Sequence, residues 1–228
     1  MKKFTFVQIK KKLKDLSNKG WIKSNRLHNT GIGKTIEDYL GITENNIALP
    51  DFGVMELKAQ RRETGSMVTL FTRKPDTGLN SKLLDKFGYP RPTDGKKVLH
   101  QTVTRVANKQ GYRLVDNKKD SELIVFKHKS LVVSYDRTKL EDSFIKKVGR
   151  GVILVLAEAK KDNNGKEQFA YKEAYLCKGG NFDRFIAKMK YDIRMGRYPD
   201  GRPHDHGSAF RLPLKDFKEV FSTFRKLI

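Results

Sequence analysis

One cysteine, one tryptophan and seven prolines stand among 228 residues. A lone Cys177 excludes an intrachain disulfide and a thiolate cluster for structural zinc, and its side chain is expected as a small buried apolar group. No apolar run approaches the roughly 18 residues that a membrane span needs. The opening, MKKFTFVQIKKKLKDL, alternates charge with apolar residues instead of forming the apolar stretch and cleavage site of a secretory signal. The expectation is a soluble, cytoplasmic protein. Acid is scarce as well: 26 Asp plus Glu stand against 48 Lys plus Arg, a formal net charge of +22. The excess runs from the first lysines to the closing FRKL, so it belongs to the whole surface and not to a tail. Such a field draws in polyanions at high rates, nucleic acid ahead of anionic membrane. Charge alone separates neither an enzyme from a non-catalytic basic binder nor DNA from RNA. At 37% hydrophobic content the chain has the material for a real core, as one large domain or two lobes, and falls outside the disordered class.

Periodicity predicts a mixed α/β (α+β) protein without regular strand–helix alternation. Phe6, Ile9, Leu13 and Leu16 recur at helical spacing before NKG, and KTIEDYL predicts a short helix over Lys34 to Leu40. Val54 to Gln60 and Ser66 to Arg73 have the content of two strands, joined as a β-hairpin through RRETG. Further on, ELIVFKH and SLVVSYD are adjacent short strands, and GVILVLAEAK turns through DNNGK into EQFAYKEAYL. Phe182, Phe185, Ile186 and Met189 mark a helix. YDIRMGRY and HGSAFRL form a strand pair around PDGRP, and Phe217, Val220, Phe221 and Phe224 share one side of a closing helix. The Pro/Gly-rich GYPRPTDGKK is the expected seam between lobes 1–97 and 98–228.

Two motif matches fail on context. TGIGKT resembles a phosphate-binding loop, but His28 stands where that loop needs its first glycine. DFG resembles a kinase signature, yet no His-Arg-Asp loop precedes it. PDFGVMELK is a different matter. In a strand, Val54, Glu56 and Lys58 share one face while Met55, Leu57 and Ala59 share the other, towards the core. Gly53 permits a bend that brings Asp51 beside Glu56, so two carboxylates would converge on one cation. Oxygen ligands suit Mg²⁺, whose remaining positions take water and phosphate oxygens, and an adjacent lysine can orient or deprotonate an attacking water. The bland alternative is an exposed strand whose Glu56 and Lys58 form a surface pair worth ~0.5 kcal/mol or less. A second Glu-x-Lys, Glu158 and Lys160, lacks an upstream Pro-Asp and reads as structural or as part of a nucleic-acid cleft.

The segments HNTGIGKTIEDYLGI, PDFGVMELKAQ, SMVTLFTRKP, VLHQTV, DIRMG and HDHGSAFRL, in that order from about Asn29 to Leu212, resemble the MvaI/BcnI group of restriction endonucleases, relatives of the mismatch-repair nickase MutH. The resemblance implies the PD-(D/E)XK nuclease fold, two lobes around a DNA cleft, and catalytic residues Asp51, Glu56 and Lys58. It also marks Glu37 as an acid supporting the metal site, with Asp51, Glu56 and Leu57 as expected metal ligands and Mg²⁺ as the cofactor. The GIG before the Glu37 helix is expected to give a tight approach suited to backbone contact with phosphate. His204, Asp205 and His206 have no further His or Cys nearby to complete a coordination shell, so a metal site there is set against surface histidines and a DNA-reading segment. Asp192, Arg194, His204, His206 and Arg211 are expected to read bases, since His and Arg donate to guanine N7 and O6 and Asp accepts from cytosine N4. Arg73 and Lys74 are expected on phosphates. What the resemblance implies as activity is a type II enzyme cutting double-stranded DNA at a short CCNGG-like site, leaving 5′-phosphate and 3′-hydroxyl ends. It would act as a monomer by sequential nicking, beside a cognate DNA methyltransferase. A MutH-like repair nickase and a non-catalytic nucleic-acid binder are the alternatives.

Overall fold

The structure is a computed structural model that describes residues 5–26, 30–42, 55–62, 65, 67–78, 80–205 and 208–228. The expected Asp51 and His206 lie outside the described residues. The chain forms two compact units, both discontinuous: Met1–Val68 with Ile145–Arg184 and Pro213–Ile228, and Thr69–Phe144 with Phe185–Leu212. The division therefore differs from the expected seam. GYPRPTDGKK folds inside the second unit, where Tyr89 and Pro90 pair with Val98 and Lys97 around a turn closed by Arg91 and Lys96. No described helix is long and apolar enough to cross a membrane.

The first unit holds a sheet in the order Ile22–Lys23, Glu167–Gly180, Val152–Lys161, Glu56–Arg61, with Phe221–Lys226 also pairing on Glu167–Gly180. The two long strands form the expected hairpin. Asp162 Oδ1 accepts the amides of Asn164 and Lys166 and so pins its turn. Glu56–Arg61 runs parallel to Val152–Lys161, Glu56 opposite Val152 and Lys58 opposite Leu154. One face of this sheet is covered by the helices Phe6–Asn18 and Gly31–Leu40. Thr5 and Gln8 close a reciprocal cap on the first, and Ile9, Leu13 and Leu16 go into the core with Ile32, Ile36 and Leu40 of the second. Met55 and Leu57 meet them from the strand, with Ala59 packed at the margin. Alternation thus leaves Glu56 and Lys58 on the opposite face, as expected.

Three expectations change. Glu56–Arg61 and Met67–Thr72 are strands, but they lie in different sheets and form no hairpin. The closing helix stops after Phe217–Val220, and Phe221–Lys226 is a strand. The edge of Glu167–Gly180 offers it a full ladder, and Phe224 stacks on Tyr175 at 4.6 Å, so tertiary pairing overrides helical spacing. The GIG segment is the first turn of the Glu37 helix and not an approach to it. A Cβ on Gly31 would come within 2.5 Å of the Arg26 carbonyl, so this glycine serves close packing.

A second sheet, formed by the second unit apart from Met67, Val68 and Pro213 at strand ends, pairs Met67–Thr72, Ala209–Pro213, Lys190–Arg197, Lys97–Val103 and Tyr89–Pro90 in that order, with Pro203–Asp205 also on Lys190–Arg197. Beside this sheet is a meander of Tyr112–Asn117, Glu122–Lys127 and Ser130–Asp136. Its core is aromatic: Phe210 packs against Phe71, Tyr135 and Tyr191, and the two buried tyrosine hydroxyls share a hydrogen bond of 2.7 Å. The mixed α+β class expected from the sequence is the one observed.

Candidate functional site

Glu56 opens its strand by donating its amide to the Gly151 carbonyl at 3.0 Å. Gly151 has φ 114, and a Cβ there would stand 3.0 Å from the Cys177 carbonyl, so glycine lets the chain enter the neighbouring strand at this point. The Glu56 side chain is 2% exposed. Lys58 Nζ lies 2.7 Å from its Oε1, and Lys147 Nζ lies 3.4 Å from its Oε2. A buried carboxylate is costly unless paired, and here two lysines, each about one-quarter exposed, pair it. Burial removes the surface-pair reading of Glu56 and Lys58.

Lys147 was not anticipated. It sits in the last turn of Arg137–Val148, a helix absent from the sequence expectations although Leu140, Phe144 and Val148 are buried at helical spacing. That stripe was the available signal.

The remaining expected groups fall as follows. Leu57 is buried in the core, and because the Glu56 amide faces the Val152–Lys161 strand, the Leu57 carbonyl points away from that strand. Glu37 lies on the Gly31–Leu40 helix, its carboxylate near Gly33 and close enough to Tyr171 to reinforce the upward push that burial gives that phenol's pKa. Tyr171 in turn donates to the Ile32 carbonyl at 2.7 Å. Among the described residues no three His, Cys, Asp or Glu side chains gather as a metal-binding group. The donors that are described, a buried carboxylate and a peptide carbonyl, fit a hard divalent cation such as Mg²⁺. The second Glu-x-Lys does not form a pair: Glu158 lies 3.9 Å from Arg62, and the Lys160 ammonium sits over the Trp21 ring at 4.3 Å.

In the second unit the structure brings Asp192, Arg194 and Arg211 together. Asp192 is 1% exposed; its Oδ1 accepts the Thr102 hydroxyl at 2.6 Å, and its Oδ2 takes Arg211 at 2.5 Å and Arg194 at 3.2 Å. Burial alone would push this carboxyl up, but Thr102, Arg211 and Arg194 outweigh it and hold it below the usual carboxylate value. Both oxygens are committed, so Asp192 carries the two arginines instead of offering itself to solvent. His204 stands in Pro203–Asp205 with Tyr198 stacked on it at 4.0 Å, while Asp205 accepts the Ser208 amide and hydroxyl. Arg73 reaches Asp76 and Ser143, and Lys74 is exposed.

A basic mixed α+β chain whose strand presents a buried glutamate and a lysine two residues on fits the restriction-endonuclease-like class of nucleases. The match to the MvaI/BcnI restriction endonuclease family spans residues 10–221, and the chain belongs to that family. The solved structures similar to it include two of MvaI. The restriction endonuclease MvaI in complex with cognate DNA is 27% identical over 96% of this chain and 97% of that one, with a TM-score of 0.84. MvaI in the absence of DNA is 28% identical over 100% of both, with a TM-score of 0.55. No curated protein matches the chain.

Proposed function

We propose that the chain is a type II restriction endonuclease that hydrolyses phosphodiester bonds in double-stranded DNA at a short, CCNGG-like site. The buried Glu56 carboxylate with Lys58 at 2.7 Å carries this reading, and family membership and the +22 charge support it. The related MvaI was solved on its cognate DNA, which supports duplex DNA as the substrate here. Asp51, Glu56 and the Leu57 carbonyl are the groups that would hold Mg²⁺, with Glu37 supporting them. When bound, the ion would supply Lewis acidity towards the scissile phosphate. Lys58 orients or deprotonates the attacking water and offsets charge on the phosphate. Lys147 keeps the Glu56 carboxylate neutralised before a cation arrives. Catalysis thus belongs to the first unit and base reading to the second.

Arg194 and Arg211 are the base readers, donating to guanine edges, with Asp192 as the residue that positions them. His204 and His206 extend the same reading, and Arg73 and Lys74 contact phosphates. A single catalytic set in a strongly charged chain favours a monomer that nicks one strand and rebinds to cut the other, in a cell whose own sites are covered by a cognate methyltransferase. Incubation of the purified protein with an unmethylated one-site supercoiled plasmid and Mg²⁺ tests this. Open-circular DNA is expected to accumulate before the linear form, at a rate first order in enzyme. DNA that is retarded but never cut would overturn the nuclease reading, and direct conversion to linear by a dimeric species would overturn the monomer.

A further inference from the structure

A cavity of about 700 Å³ opens in the second unit beside the strand Lys97–Val103, within the ~300–1,000 Å³ range of small-molecule sites. Phe87, Tyr89 and Tyr112 give it aromatic surface, Gln101 and Asn108 give it amides, and Lys127 gives it an ammonium group. Tyr112 is 1% exposed, meets Phe87 edge-on at 6.4 Å, and has a buried hydroxyl with no hydrogen-bond partner. A buried phenol ordinarily finds one. Burial, with the Tyr89 phenol adding to it, pushes the Tyr112 pKa up to about 12, so it remains a proton donor at neutral pH.

The amides are fixed by their own network. Asn108 Oδ1 accepts the backbone amides of Gln110 and Tyr112, each at 3.0 Å, which makes its Nδ2 the donor to Gln101 Oε1 at 3.0 Å. The Gln101 amide nitrogen is then left as a donor on the cavity wall. Lys127 holds its ammonium over the rings of Phe87 and Tyr112, at 5.5 and 5.3 Å, with no carboxylate partner among the described residues. The place in the fold matters too. His100 and Thr102 line the cavity, and across the sheet they stand opposite Arg194 and Asp192.

Aromatic faces, two directed donors and a cation without its own counter-ion suit a flat, hydrogen-bonding group that carries an anion. We propose that this cavity binds a single nucleotide, its base against the Phe87 and Tyr89 rings, base acceptors on the Tyr112 hydroxyl and Gln101 amide, and its phosphate at Lys127. The nucleotide comes either from solution or from the duplex, turned out of the stack beside Arg194 and Arg211; only the second source rests on the DNA-reading assignment of that face. Base–aromatic stacking provides the affinity, and an unpaired base is the least costly to extrude.

The test uses the full chain and has two arms. Calorimetric titration with each of the four deoxynucleoside 5′-monophosphates should show binding that weakens about tenfold in Tyr112→Phe, the loss of one hydrogen bond, and weakens also in Lys127→Gln. Tyr112→Phe removes a buried hydroxyl that has no partner, so its melting temperature should not fall below that of the parent. In the second arm, Ca²⁺-supported binding is measured on site-containing duplexes in which an abasic residue replaces one base at a time. Tighter binding at one position, lost in both variants, assigns the duplex as the source; nucleotide binding without that effect assigns free nucleotide. If neither arm responds in a protein that still cuts the one-site plasmid, the cavity assignment is overturned and the nuclease stands. Nucleotide binding in a protein that cuts nothing has the opposite consequence.

Discussion

Two buried carboxylates, one in each unit, are each held by two basic side chains and differ in what those side chains allow. Glu56 is gripped by Lys58 and Lys147, whose ammonium groups sit on flexible stems, Lys58 at 2.7 Å from one oxygen and Lys147 at 3.5 and 3.4 Å from the two. Asp192 is gripped by two guanidinium groups and a hydroxyl, three directed hydrogen bonds that use both of its oxygens. Lysine is a point charge that another cation can displace; the arginine–threonine cradle is a fixed frame. A burial figure alone would class the two acids together. Under the proposed function, their partners separate a site that exchanges ligands from one that holds its neighbours still.

Asp192→Asn should give the largest structural effect, because it strips the charge from a buried hub and leaves two guanidinium groups without their counter-ion. We expect a loss of about 3 kcal/mol in urea unfolding at neutral pH. The carboxyl is held below its ordinary value of 3.8, so its contribution is complete above that value and is lost as the pH falls through its lower folded value. The difference between parent and variant should therefore shrink in acid. A variant as stable as the parent at neutral pH would make the cradle incidental.

Lys147→Met should have a smaller effect of opposite character. With one competing ammonium group removed from Glu56, Ca²⁺ measured by titration should bind several-fold more tightly, since each lysine is only a partly exposed ion pair. Weaker Ca²⁺ binding in this variant would mean that Lys147 assists the cation instead of standing in its place.

The alternation in PDFGVMELK was legible because a strand fixes which residues share a face whatever it pairs with, so Glu56 and Lys58 could be separated from Met55 and Leu57 by counting. The partners of that strand were not legible. A hairpin with SMVTLFTR is the local solution, whereas the chain uses the distant Val152–Lys161 strand for one segment and Ala209–Pro213 for the other. Lys147 was missed with its helix, although Leu140, Phe144 and Val148 gave the period. The closing segment carried an equally clear helical period and became mostly strand, because an open sheet edge was nearby. Pattern fixes faces; tertiary context decides pairings. The role of Asp192 was invisible for the same reason, since its partners Thr102 and Arg211 come from neighbouring strands.

Spacing also offered two Glu-x-Lys sets on adjacent parallel strands, and only their surroundings tell them apart. Glu158 is one-third exposed and stands 3.9 Å from the exposed Arg62, where Glu56 is buried between lysines. Cleavage of an unmethylated plasmid in Mg²⁺ by Glu56→Ala and Glu158→Ala, with Ca²⁺-supported DNA binding measured in parallel, sets one against the other. Glu56→Ala should bind the DNA and leave it uncut, while Glu158→Ala cuts at close to the parent rate. Cleavage by Glu56→Ala, with activity lost instead in Glu158→Ala, would place the active site on the other strand.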